Sequence, residues 1–239
     1  MRRFTVWLCV TAFLLIASAQ DATEKKFTPR ELFYQPAAAV SKKQDTKKGG
    51  TAPAQGPALG LKYTIRKRTP EGILEVSEKT VFHTGDAIEL RIETNSAGYL
   101  YIIHRGSSGA WSPMFPSPAI ARGDNHVESR RAYDLPPRMM IFKKPTGIES
   151  ISIVFSRKAV DDLDSLIYAL QKGNPATARK ELVADARIDD VTVNGLRKTY
   201  SRDLIIEPIT AAAETATYVV NPSGSPDSRM LWEIQLTHQ

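Results

Sequence analysis

From about residue 59 onward, apolar and polar positions alternate with a period of two. In residues 87–93, Ile88, Leu90 and Ile92 face one way and Glu89, Arg91 and Glu93 the other, the pattern of a half-buried strand. Residues 61–68 alternate similarly, with Tyr63 and Ile65 inward. Residues 98–104 are aromatic and branched throughout, fitting a central strand entered by a turn at Asn95-Ser96-Ala97-Gly98. Residues 127–135 form a looser strand, and 149–155 place Ile151, Ile153 and Phe155 on one face. Three further strands are expected at 203–209, 216–220 and 230–237, the last with Met230, Trp232, Ile234 and Leu236 in register. Turn chemistry separates them at Thr84-Gly85-Asp86, Gly106-Ser107-Ser108-Gly109 and Asn221-Pro222-Ser223-Gly224.

The period changes once. Asp161, Asp162 and Asp164 place carboxylates on a first helical turn, where the helix dipole favours them. Leu163, Leu166, Ile167 and Leu170 then share a face, and Asn174-Pro175 opens a second helix running to about residue 184. The expected architecture is mainly β: an antiparallel sandwich over 59–239, with a family-like core at 60–157, a two-helix insertion at 158–186 and completing strands at 187–239. With 230–237 in the same sheet system, 59–239 would be one domain.

The N-terminal residues follow neither period. Met1-Arg2-Arg3, an apolar stretch from Phe4 to Ile16 and the small pair Ala17/Ala19 read as a secretory signal peptide, residues 1–19, cut after Ala19. Residues 20–58, rich in Ala, Pro, Lys and Gly, read as a flexible tether. Its apolar island Leu32-Phe33-Tyr34 is a candidate dock for a partner or for the domain itself. An exported chain of this kind belongs in a bacterial periplasm or outside the cell. No later apolar run approaches the roughly 20 residues of a membrane span.

Charge and cysteine narrow the chemistry. The 239-residue chain is +6 overall, but the excess sits in the first 58 residues, and 59–239 carry a net +1. That gives nucleic-acid binding little support. The single cysteine, Cys9, falls in the signal, so the exported chain would have no disulfide and no thiol chemistry. Gly106-Ser107-Ser108-Gly109 is one residue short of a serine-hydrolase elbow, and the four histidines His83, His104, His126 and His238 show no metal-ligand spacing. No metal, cofactor or catalytic residue is expected.

A series of motifs links residues 60–157. Gly85-Asp86 precedes a strand, and Gly98-Tyr99-Leu100-Tyr101 forms the next one. Gly109 and Trp111 lead to Met114-Phe115-Pro116-Ser117, followed by Asn125, by Tyr133-Asp134-Leu135-Pro136, and by Gly147 with Glu149. In this order they resemble the bacterial domain of unknown function 4384. The resemblance implies an envelope-associated β domain, often found beside signalling or protease-like modules, and supplies no catalytic residues. Physically, Gly85, Asp86, Gly98 and Pro116 read as structural positions. Tyr99 and Tyr101 should share one sheet face, with Leu100 and Ile102 on the other. Tyr99, Tyr101, Trp111 and Phe115 are the candidate ligand-binding side chains, suited to stacking on a sugar or peptide, although Phe115 also suits a plug at the end of the sandwich. The function expected is that of a non-catalytic binding module contacting an envelope protein or polysaccharide. The alternatives are a hydrolase acting on envelope polymers or peptides and an assembly factor for an envelope machine.

Overall fold

The computed structural model of the protein describes residues 27–35, 56–117, 123–161, 163, 190–211 and 214–239. The expected signal peptide, most of the expected tether and nearly all of the two-helix insertion lie outside the described residues.

The described chain is mainly β. One six-stranded sheet, A, contains β1 (Leu59–Thr69), β2 (Gly72–Val76), β4 (Ala87–Thr94), β8 (Ala132–Ile141), β10 (Ile205–Ala211) and β11 (Glu214–Asn221). The order along it is β10-β11-β1-β4-β8. The second sheet, B, contains β3 (Val81–Phe82), β5 (Gly98–Arg105), β6 (Trp111–Phe115), β7 (His126–Val127), β9 (Gly147–Ser156) and β12 (Arg229–His238), ordered β3-β12-β9-β5-β6 with β7 beside β5. Pairing is antiparallel except where β3 lies parallel to β12. β12 pairs with β9 along its length, from Arg229↔Ser156 to His238↔Gly147.

The strand period decides what each sheet buries. Tyr63, Ile65, Ile88, Leu90 and Ile92 of sheet A meet Leu100, Ile102, Ile151, Ile153, Phe155, Ile234 and Leu236 of sheet B in one core. Each such side chain contributes roughly 1.5–3 kcal/mol by leaving water.

The two outer faces are treated differently. That of sheet A carries a ladder of charge across β1, β4 and β8: Arg66 reaches Glu89, and Arg91 grips Asp134 with two hydrogen bonds of 2.8 Å. That of sheet B is apolar at one end, where Tyr101, Ile103, Val154 and Leu231 are covered by Val160, Leu163 and α2 (Asp190–Tyr200). α2 occupies part of the span expected to hold only completing strands. Its Val193, Leu196 and Tyr200 share one face, which lies on sheet B.

A short helix, α1 (Pro29–Tyr34), corrects the tether reading for residues 27–35. Thr28 and Glu31 form a reciprocal capping box, and Pro29 starts the helix. Phe33 is fully buried among Ala58, Ala216, Tyr218 and Val220 on the outer face of sheet A. The Arg130 guanidinium lies 4.4 Å from the Phe33 ring centroid, and its Nη2 donates to the Phe33 carbonyl oxygen. Gly60 leaves room for this ring, since a Cβ there would stand 3.0 Å from Phe33 Cδ2. The Leu32-Phe33-Tyr34 island therefore docks on its own domain, with Phe33 withdrawn from any other partner.

Candidate functional site

The motif residues fall where the strand register sends them. Gly85 adopts φ +96°, the left-handed region that glycine tolerates. The Asp86 carboxylate accepts from the His83 backbone N–H at 2.9 Å and from Lys67 Nζ at 2.6 Å. It is held below the usual carboxylate range: burial opposes this, and the hydrogen bonds from Lys67 and His83 outweigh it. Gly98 is a close approach, because a Cβ there would lie 2.5 Å from the Ser156 carbonyl oxygen. Asn95 fastens the start of β1, accepting from Gly60 N–H at 2.7 Å and donating to Ala58 O at 2.8 Å. Pro116 is buried beside Phe115.

Of the four candidate ligand-binding side chains, the structure withdraws two. Tyr101 shares the outer face of sheet B with Tyr99, as period two requires, but it is fully buried beneath α2, Val160 and Leu163. Its Oη accepts from Val160 N–H at 2.9 Å. Phe115 is buried in the central core, the packing role of an end plug. Tyr99 is half-buried, edge-on to His126 at 5.2 Å. Trp111 is half-buried and lines a cleft of about 460 Å³ between α2 and the uncovered end of sheet B.

A second cleft was not legible in the sequence. β11 and β2 share one edge of β1: β11 pairs with residues 59–63 and β2 with 65–69. They part at Thr64, and a cleft of about 590 Å³ opens there, at the seam between the β10–β11 wing of sheet A and β12 of sheet B. Its apolar walls are formed by Ile65, Val76, Ile206, Pro208 and Ile209, and Thr64, Ser77, Thr210, Thr215 and Thr217 add hydroxyls to the lining. Its floor is a locked polar group. Tyr63 Oη donates to the Glu78 carboxylate and accepts from Trp232 Nε1 at 2.9 Å. Burial, reinforced by the negative charge of Glu78, raises the Tyr63 phenol well above its ordinary value. Tyr63 therefore stays neutral and acts as a fixed donor–acceptor. Nothing in the period-two pattern marks this seam, which exists only once β10 and β12 face each other.

A third arrangement crosses sheet B at one end. His104 Nε2 lies 2.6 Å from Glu149 Oε2, and His238 Nδ1 lies 3.4 Å from Glu149 Oε1. Beyond these, Ser112 Oγ is 3.5 Å from His104 Nδ1 and Thr84 Oγ1 is 3.0 Å from His238 Nε2. The Glu149 side chain is 5% exposed and its hydrogen-bonded partner is His104, while the buried His238 Nδ1 beside it makes no hydrogen bond among the described residues. The register brings them together: β5 sets His104 opposite Ile151, one diagonal step from Glu149. Among the described residues, no group of three His, Cys, Asp or Glu side chains is arranged to hold a metal ion. No helix among them is long and apolar enough to cross a membrane.

No curated protein and no solved structure matches the chain. The segment from β3 to just past β9, which carries Gly85, Gly98, Trp111 and Phe115, does have a counterpart: residues 81–159 match the family model described as Domain of unknown function (DUF4384), the family that the ordered motifs resemble.

Proposed function

We propose that the chain is an exported, non-catalytic binding module of the bacterial cell envelope, and that the seam between β10–β11 and β12 takes an apolar segment of an envelope protein. The observation that carries this reading is the seam cleft. It has apolar walls, two aromatic side chains, a set of Thr and Ser hydroxyls and a polar floor whose hydrogen bonds are already made, a mainly apolar pocket with polar groups that can orient a peptide backbone. Glu78 and Lys79 are its charged lining residues, and Glu78 is engaged by Tyr63. Export rests on the Arg2-Arg3 start, the apolar core and the Ala17/Ala19 pair.

The test is a titration of the full chain with a library of extended Leu-, Ile- and Val-rich octapeptides, read at the indole N–H resonance of Trp232. Binding should shift that resonance, and Ile206→Asp should abolish the shift while leaving the fold intact. Peptides that move no seam resonance would overturn the reading. N-terminal sequencing of the exported protein should begin at Gln20.

A hydrolase has one observation in its favour, the Ser112–His104–Glu149 sequence of contacts. It would require Ser112 to be phosphonylated by a fluorophosphonate probe and Ser112→Ala to prevent that. The Ser112–His104 distance lies at the outer limit of a hydrogen bond, which favours the non-catalytic reading.

A further inference from the structure

Sheet B ends at the seam in a strand with an open side. β12 pairs with β9 along its whole length, but on its other side β3 meets only Thr237 and His238. Among the described residues, no strand lies against 229–236 on that side. In an antiparallel ladder the N–H and C=O of one residue point to the same edge, and successive residues alternate. Three contacts away from β9 fix the phase. Asn221 Nδ2 donates to Arg229 O and Ser201 Oγ to Leu231 O, each at 2.9 Å, and Gln239 N–H donates to Phe82 O at 2.8 Å. The odd-numbered residues therefore face the open side. The carbonyls of Arg229 and Leu231 are capped there, and Thr237 meets β3. Between them, the backbone groups of Glu233 and Gln235 face outward with no strand to bond among the described residues. A row of this kind is a template for an added strand.

We infer that the seam takes its occupant by strand addition: an extended segment of a partner protein pairs with Glu233 and Gln235 at the edge of β12 and lays alternate side chains into the cleft. The inference rests on the seam reading and adds the main-chain contact that holds the segment. Trp232, next to Glu233, turns its indole into the cleft, so a strand beside β12 aims one row of side chains the same way, toward Ile206, Pro208 and Ile209. That row is apolar. The other row faces the outer side of sheet B, beside the Glu233 and Gln235 side chains, and is polar. The segment's charge is set by Lys79, which lines the cleft and has no ion pair among the described residues, whereas Glu78 is engaged by Tyr63. An acidic residue on the segment is the complement. β10 also lines the seam as an edge strand, but it is the poorer template, because Pro208 has no N–H to offer.

The experiment titrates the full chain with an octapeptide that alternates Val and Thr and carries one Asp, following the Trp232 indole N–H and the backbone amides of Glu233 and Gln235. At saturation Trp232 should shift, and hydrogen exchange at the two amides should slow about tenfold, as one added backbone hydrogen bond implies. Two further peptides carry N-methyl groups on alternate residues, in opposite phases. One phase should lose about tenfold in affinity and the other should bind like the parent, because only one edge of an added strand meets β12. Gln235→Pro should lose as much while keeping its melting temperature, since that N–H lies outside the β9 ladder, and Gln235→Ala should bind normally. If Gln235→Pro does not fold, the N-methylated pair decides. Replacing the peptide's Asp by Asn should weaken binding severalfold, and Lys79→Ala should erase the difference; equal binding of the two peptides to the parent chain would overturn the acidic assignment. A Trp232 shift without protection of the two amides, or equal binding in both N-methyl phases, would overturn strand addition and leave the seam reading standing. No Trp232 shift with any peptide would overturn both.

Discussion

The family-matched segment and the residues outside it do different work. Residues 81–159 contain β3 to β9, whose pairings β4–β8, β5–β6, β5–β7 and β5–β9 close within the segment. The central strand of sheet A, β1, comes from before it, and β12, on which the far side of β9 depends, comes from after it. The clefts divide along the same line. Every residue lining the seam cleft lies outside 81–159, whereas the Trp111 cleft takes Arg105, Trp111, Ile148 and Ser150 from the segment and Val193, Asn194, Arg197, Glu233 and Gln235 from beyond it. Likeness to the family thus describes a scaffold, and the two clefts arise where this chain adds to it.

The comparison is broken most directly by cutting the chain. A fragment ending at Lys158 loses β10 to β12 and leaves Ile151, Ile153 and Phe155 without their cover on β12, at roughly 1.5–3 kcal/mol for each side chain exposed. Aggregation is expected on light scattering, and a soluble 60–158 fragment with a cooperative melt would show that the matched segment stands alone. Next in size is Phe33→Ala, which empties a fully buried site outside the segment. It should cost about 3 kcal/mol, seen as loss of hydrogen-exchange protection at residues 31–35. Unchanged protection would mean that α1 is held by its cap and the Arg30–Glu214 ion pair alone. Within the segment, Gly98→Ala forces a Cβ to within 2.5 Å of the Ser156 carbonyl oxygen. The strain should cost about 1–3 kcal/mol by urea denaturation, and a neutral result would show that β5 can shift against β9.

The smallest effect belongs to the charged ladder. The Arg91 hydrogen bonds hold the Asp134 carboxyl below its ordinary value, outweighing the opposing effect of burial. A carboxyl depressed in the folded state contributes stability above the unfolded pKa, and that contribution is lost as pH falls through the folded value, here below about pH 4. Both side chains are more than a third exposed, so Asp134→Asn should cost only a few tenths of a kcal/mol at pH 7 and less in high salt. A melting temperature of the variant slightly below the parent's at pH 7, with a gap that narrows as pH falls below about 4, is the expected signature.

Much of the scaffold was legible because one rule generates it. Ile88/Leu90/Ile92, Ile151/Ile153/Phe155 and Met230/Ile234/Leu236 alternate cleanly, and each set faces the core. The helices were harder for opposite reasons. α1 carries a complete start signal in Thr28-Pro29-Arg30-Glu31, but six residues among Ala, Pro and Lys present no helical period, and its stability comes from the cup that receives Phe33. α2 spaces Val193, Leu196 and Tyr200 correctly but dilutes the pattern with β-branched residues and Gly195. At the candidate sites, Trp111 could be identified by residue type, although Tyr101 and Phe115 show that an aromatic side chain in a strand is as readily core as contact. The seam and the His104–Glu149–His238 cluster depend on partners far apart in sequence, so only the strand register reveals them.

The position of β12 bears on how the molecule comes into being. Strands that complete a sheet late in the sequence delay closure, because distant segments must meet before their contacts repay the entropy of bringing them together. While the chain is being synthesised, β9 waits for residues 229–238 and β1 waits for 214–221. A nascent chain shorter than that holds two incomplete sheets and exposed apolar rows, a state prone to capture by chaperones. It also remains unknotted and extensible, the form in which a polypeptide can be drawn through a narrow channel before it folds on the far side.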